Sequence, residues 1–148
     1  MSQTNELEIM ERIALDLEGV EESLASSFNT GAEDFNALIR PLSAAGGKRL
    51  RAQLCLLIAN AGTSVERQRI RIAEAVEMLH LATLIHDDVL DQAEIRRGED
   101  TIHMHKGNKV AILSGDYLFA KAFQIVSEMP NMKYLQIFSH IISCLEIG

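Results

Sequence analysis

Cysteine is nearly absent from the chain: Cys55 and Cys144 are the only two in 148 residues. Two thiols, each set in an apolar helical run, do not make a disulfide framework or a cysteine metal site, and both are read as small buried hydrophobes. Cations are also scarce, with 14 lysines and arginines against 21 aspartates and glutamates and a net charge of −7. With no basic run to reverse that balance, nucleic acid is excluded as an expected partner. Proline occurs twice, at Pro41 and Pro130, and each is read as closing a helix. No uninterrupted apolar run is long enough to span a bilayer, and the polar, acidic N-terminus has no signal-peptide pattern. A single cytoplasmic domain without a transmembrane segment is expected, with enough apolar content for a core.

What is present is helical periodicity almost throughout. Over residues 6–28, apolar Leu7, Ile9, Met10, Ile13, Leu15, Leu17, Val20 and Leu24 recur at mixed helical spacings among glutamates, an amphipathic helix. Asn29, Thr30 and Gly31 end it, and residues 32–40 form a short second helix stopped by Pro41. An apolar helix over 50–61 follows, then a break at Gly62, Thr63 and Ser64, with Ser64 a candidate N-cap. The pattern from Val65 to Ile85 becomes apolar on most of its circumference, which marks a buried central helix. Helices over 109–128 and 133–147 complete the chain, the first with Gly115 and Asp116 allowing close packing.

The chemistry concentrates where the central helix ends, in HLATLIHDDVLDQAEIRRG from His80 to Gly98. At about 100° per residue, Asp87 and Asp91 share a face one turn apart, Asp88 sits beside them, and His80 lies two turns back, roughly 20° away. Clustered aspartates repel one another and weaken a helix, so something must compensate. A hard divalent cation, which takes oxygen ligands and keeps waters, fits a small carboxylate set completed by substrate phosphates. Arg96 and Arg97 follow directly, and guanidinium groups bind phosphate bidentately. A diphosphate held through a metal is the expectation.

A second cationic cluster, Lys48, Arg49 and Arg51, opens the helix over 50–61 behind Gly46 and Gly47. Glycines let the backbone approach an anion, and a helix N-terminus favours one. His86, turned away from the His80 face, is read as structural. His103 and His105, two apart, suit a metal only on a strand, and no strand is expected there.

GGKRLR at 46–51, DDVLD at 87–91, RRG at 96–98 and AILSGDYL at 111–118 together resemble the trans-polyprenyl diphosphate synthases, the family of farnesyl, geranylgeranyl and octaprenyl diphosphate synthases. The resemblance covers the chain from about Phe35 to its end, with the motifs in the family's order. It implies an all-α, isoprenoid-synthase-type helical bundle, of which residues 1–148 would be the N-terminal half, because the family's second aspartate-rich motif is absent. It implies condensation of isopentenyl diphosphate with an allylic diphosphate to give a medium- or long-chain polyprenyl diphosphate. Mg²⁺ would sit on Asp87, Asp88 and Asp91. Arg96 would hold the allylic diphosphate and, with the aspartates, form the catalytic set. Lys48, Arg51, His80 and Arg97 would hold isopentenyl diphosphate.

Small residues at Ala82 and Thr83, where bulky aromatics in the family stop growth early, imply products longer than farnesyl diphosphate, with Leu79 and deeper residues also involved. The family's usual proline after the last arginine of GGKRLR is replaced by Ala52, a change expected to have little functional effect. As an incomplete chain the protein is expected to be inactive or weakly active alone. Alternatives are a noncatalytic or half-site subunit that pairs with a chain bringing the second motif, and an unrelated helical interaction module. A terpene cyclase is disfavoured, since it has no isopentenyl diphosphate for GGKRLR and RRG to hold. The apolar character of the last two helices points to a homo-oligomer, as in the homodimers of full-length relatives, or to a partner chain supplying the missing half.

Overall fold

A computed structural model describes residues 3–44, 48–62 and 65–147. Among them are seven helices and one two-stranded hairpin. The helices are α1 (Gln3–Ser27), α2 (Glu33–Ala44), α3 (Leu50–Asn60), α4 (Glu66–Leu90), α5 (Ile102–Lys106), α6 (Asn108–Ser127) and α7 (Met132–Ile147). The strands are β1 (Ile95–Arg96) and β2 (Glu99–Asp100). The all-α expectation is met.

Helix α4 is the spine. It packs most extensively against α6, and also against α3 and α1. Its residues Ala73, Ala75, Met78, Leu79, Leu81, Ala82 and Ile85 are buried, against Leu118, Ala122, Ile125 and Val126 of α6, Leu56 of α3, and Val20, Leu24 and Phe28 of α1. Each fully buried large side chain contributes about 1.5–3 kcal/mol. Small residues on both partners let α4 and α6 approach closely. At Gly115 an added Cβ would overlap the His86 imidazole, whose Nε2 lies 3.1 Å from the Ile112 carbonyl oxygen. His86 is therefore structural, as expected, and Gly115 is the residue that makes room for it. Asp116 stands at the surface, 3.5 Å from the same ring.

The mixed spacings of α1 resolve once its charges are placed. Ile13, Val20 and Leu24 are buried while Leu7, Met10 and Leu15 are exposed, and Asp16 joins the buried stripe. Its carboxylate accepts from Arg69 at 3.0 and 3.2 Å and from Asn60 at 3.1 Å. Glu74, fully buried, accepts from Ser23 at 2.6 Å, Ser27 at 2.7 Å and Arg71 at 2.6 Å. Two satisfied carboxylates thus fasten α1 to α4, and removing one partner of such a buried pair typically costs about 3–5 kcal/mol.

Several expectations require correction. Helix α2 does not stop at Pro41 but runs to Ala44: proline's fixed φ is compatible with a helix, and the last turn continues past it despite the lost backbone bond. The segment between α4 and α6 is not featureless. It folds into the β1–β2 hairpin, with Ile95 opposite Asp100 and Arg96 opposite Glu99, and then into α5, which carries His103 and His105. Cys55 is half-buried, its thiol pKa raised by burial, but Cys144 is exposed on α7, since among the described residues nothing covers that face. The N-cap of α4 is Val65, with no side-chain cap, and Ser64 lies outside the described residues. Helix α6 is long and apolar enough to cross a membrane by length and composition, yet it lies against α4 with Ser114 and Gly115 buried.

Replacing Gly115 by Ala drives a methyl into the His86 ring, and overpacking of this kind costs about 1–3 kcal/mol. The urea midpoint of Gly115→Ala should fall with an unchanged slope; an unchanged midpoint would show that α4 and α6 are not held at this distance.

Candidate functional site

The last turn of α4 carries Asp87 and Asp88, and Asp91 is its C-cap. The Asp91 N–H donates to the Asp87 carbonyl at 2.8 Å, so these two side chains stand one turn apart, both exposed. Carboxylates at a helix C-terminus meet the negative end of the helix dipole, which disfavours them. Compensation comes from the hairpin. Asp88, only 6% exposed, accepts from Arg96 Nε and Nη2, both at 2.7 Å, and that hydrogen bond raises the arginine's pKa.

The hairpin presents the arginines for a reason visible in RRG. Arg97 and Gly98 both have positive φ, 54° and 86°, between strands paired Arg96 to Glu99. That is a two-residue type I′ turn, whose positive φ at both positions makes glycine favourable at the second. Thr101, buried, ties the hairpin back to the end of α4, its Oγ1 donating to the Ala93 carbonyl at 2.8 Å and its N–H to that of Glu94 at 3.0 Å.

The other cationic cluster faces this one across a cavity of about 440 Å³, lined among others by Lys48, Arg51, His80, Asp88, Arg96 and Arg97. The structure therefore gathers six of the expected site residues, from three separated stretches of sequence, around one space. Lys48 and Arg51 are exposed to it. Arg49, between them, is not. It is 9% exposed and takes the left-handed conformation, φ 45° and ψ 38°. Its guanidinium bonds Glu21 of α1 at 2.5 and 3.1 Å and Glu77 of α4 at 3.5 Å. Burial acts to lower its pKa, but Glu21 and Glu77 outweigh this and raise it.

The N-terminus of α3 does attract an anion, but that anion is the protein's own: Glu77 Oε1 accepts the Ala52 N–H at 3.0 Å. Gly46 and Gly47, expected to cradle an anion, lie outside the described residues. His80, one turn beyond Glu77, is half-buried, and its pKa is lowered by burial and by Arg51.

Other expected residues stand apart. Asp87 and Asp91 do not line the cavity. Among the described residues no three carboxylate, histidine or cysteine groups come together closely enough to cage an ion. As a donor set, Asp87 and Asp91 nonetheless fit a hard cation: two exposed carboxylates on adjacent turns, oxygen only, with room for waters and phosphate oxygens. Ala82 is buried and Thr83 half-buried, its hydroxyl donating to the His80 carbonyl at 2.8 Å; neither lines the cavity. Glu77, Glu21 and Thr101 were not singled out by the sequence. Only Glu77 left a trace, three residues before His80 on the same helical face.

A protein-family model, Polyprenyl synthetase, matches residues 32–148. The chain is 34% identical over 146 residues to chloroplastic solanesyl diphosphate synthase 1 of Arabidopsis thaliana, covering 95% of this chain and 36% of that protein. It is 32% identical over 140 residues to octaprenyl diphosphate synthase of Escherichia coli, covering 95% and 43%. Among solved structures, a decaprenyl diphosphate synthase from Rhodobacter capsulatus superposes with a TM-score of 0.81 at 32% identity, over 90% of this chain and 41% of that one. A polyprenyl synthase from Caulobacter crescentus, complexed with calcium and isoprenyl diphosphate, does so with a TM-score of 0.81 at 36% identity, over 88% and 41%. The chain thus spans about two fifths of the length of the relatives it matches.

The His80 shift makes a test. Because its folded pKa lies below the usual 6.5, the neutral ring is favoured by folding. That contribution is present above about pH 6.5 and is lost as the pH falls below it. The drop in urea midpoint between about pH 7.5 and about pH 5.5 should be smaller in His80→Gln than in the parent; equal drops would contradict the assigned environment.

Proposed function

The chain belongs to the polyprenyl synthetase family, and we propose that it forms the isopentenyl-diphosphate wall and the first metal motif of a trans-prenyltransferase making medium- or long-chain polyprenyl diphosphates. The observation that carries this reading is the convergence of Lys48, Arg51, His80 and Arg97 on one cavity, from the α3 N-terminus, the middle of α4 and the hairpin turn. A diphosphate needs several donors and positive charge in one place, and this cavity wall supplies them. His80, whose pKa is lowered by burial and by Arg51, offers an N–H donor to that group.

The allylic diphosphate belongs at the α4 terminus. Asp87 and Asp91, with Asp88 as a third carboxylate, would hold Mg²⁺ there, and the ion would supply charge neutralisation for the leaving diphosphate. Arg96 adds a guanidinium at the same place, held in position by Asp88 until a phosphate competes for it. As the allylic carbon–oxygen bond breaks, its electron pair leaves with the diphosphate. The double bond of isopentenyl diphosphate, anchored by Lys48, Arg51, His80 and Arg97, attacks the carbocation, and a proton is lost from the adduct. Arg96, with a cation held by the aspartates, would stabilise the charge that grows on the leaving diphosphate oxygen as the bond breaks, which is where preorganised donors act most strongly. Small side chains at Ala82 and Thr83, in place of bulky aromatics, favour products longer than farnesyl diphosphate.

A second contribution to the site is part of this reading. Relatives are more than twice as long, and Leu54, Leu57 and Ile58 of α3, Ile112 and Leu113 of α6, and Ile137, Ile141 and Leu145 of α7 are exposed. Such faces suit self-association into a homodimer or cover by a chain or segment bearing a second aspartate motif, the latter corresponding to the half-site alternative. We place the enzyme in the cytoplasm, consistent with two free cysteines.

Incubation of the chain with Mg²⁺, farnesyl diphosphate and labelled isopentenyl diphosphate, with product sizing, tests the proposal. Elongated products, or Mg²⁺-dependent binding of the allylic diphosphate without turnover, are the expected outcomes. Asp87→Ala and Asp91→Ala should each abolish that metal-dependent binding; retention of it in both would remove the metal assignment.

A further inference from the structure

Two buried carboxylates stand in the cavity wall and work against an anion site by charge: Asp88, which is paired with Arg96, and Glu77, 3% exposed. Glu77 accepts the Ala52 N–H at 3.0 Å through Oε1 and meets Arg49 at 3.5 Å through Oε2. Both partners belong to the stretch that carries Lys48 and Arg51. Arg49 is held in a left-handed backbone that non-glycine residues enter at a cost of roughly 1–2 kcal/mol, and its guanidinium is gripped from the opposite side by Glu21 of α1. With the backbone of 49 fixed and its side chain turned into the protein, its neighbours at 48 and 51 present their side chains to the cavity. The Ala52 N–H is available only because this position is not the family's usual proline, which has no amide hydrogen.

We infer that Glu77 is a positioning residue of the diphosphate cleft, a buried carboxylate that fixes the α3 N-terminus through Arg49 and the Ala52 amide and so aims Lys48 and Arg51 at the ligand. The inference rests on the cleft being the diphosphate site proposed above, and it goes beyond that reading in assigning a role to an acid that never touches the substrate.

Charge and position pull in opposite directions here, which makes the role measurable. If Glu77 acted only through its field, neutralising it would tighten anion binding, because a carboxylate near a diphosphate repels it. If it positions the cations, Glu77→Gln weakens binding although the net positive charge of the cleft rises. Calorimetric titration of the whole chain with inorganic pyrophosphate, competed with isopentenyl diphosphate, reads the difference. Cooperative melting of each variant confirms that it is folded.

The expected result for Glu77→Gln is affinity weaker by about tenfold or more, the scale on which supporting partners act on the groups they orient. The double variant Arg49→Gln/Glu77→Gln leaves net charge unchanged and should weaken binding similarly, and it carries the test where the single variant does not melt cooperatively. Unchanged or tighter pyrophosphate binding in the folded variants overturns the positioning role and leaves the cleft assignment standing. Absence of pyrophosphate binding in the parent chain overturns the cleft assignment and this role with it.

Discussion

Everything in the cleft depends on how two acids of one helix dispose of two arginines. Glu77 and Asp88 are eleven residues apart on α4, three turns and about 20° from alignment, so a single buried face presents both. Each binds one guanidinium from a flanking segment: Arg49 from the start of α3, Arg96 from the hairpin. These ion pairs tie the two basic segments to the spine through acids that are themselves buried, where leaving the carboxylate unpaired is expensive. Lys48, Arg51 and Arg97 can then be gathered around one space without their repulsion opening it. A set of cations that close is not a natural resting arrangement for a folded chain. It persists because the arginine beside each group is anchored by a carboxylate.

The aspartate-rich end of α4 follows the same logic in the other sign. Three acids at the negative end of a helix dipole are destabilising, and burial of Asp88 against Arg96 relieves only one of them. Asp87 and Asp91 remain exposed, which makes this terminus receptive to a hard cation and fits the family's general use of a divalent metal. The hairpin serves both halves, since its I′ turn places consecutive arginines at positions with different duties. Arg96 faces the aspartates, and Arg97, in the turn, faces the cavity shared with Lys48 and His80.

Much of this was legible in the sequence. Helical periodicity located the six helices of eleven or more residues and marked α4 as buried, and the motifs named the residues that converge on the cleft. What periodicity could not see was polar burial. Asp16 sits in the apolar stripe of α1 because Arg69 and Asn60 satisfy it, so a stripe read from apolar residues alone points partly the wrong way. Arg49 was counted with Lys48 and Arg51 in one cationic cluster because charge counting does not distinguish a guanidinium facing solvent from one gripped by Glu21 and Glu77. The hairpin was missed because strands of two residues have no period to detect, and its one signal, the glycine of RRG, was already explained as part of a motif. Cys144 was placed in a core that, among the described residues, does not reach it. The apolar faces of α3, α6 and α7 are the mirror of that error: composition suited to burial, standing exposed, in a chain that spans about two fifths of its relatives.

The central proposal is that one cleft, built by α3, α4 and the hairpin, holds the diphosphate of isopentenyl diphosphate through Lys48, Arg51, His80 and Arg97. The most direct measurement is a crystal structure of the chain with isopentenyl diphosphate and no divalent cation. The account predicts the diphosphate between Lys48 and Arg51 on one side and His80 and Arg97 on the other, with Arg49 still bound to Glu77. A diphosphate seated instead at Asp87 and Asp91, or anywhere outside the cleft, would contradict it.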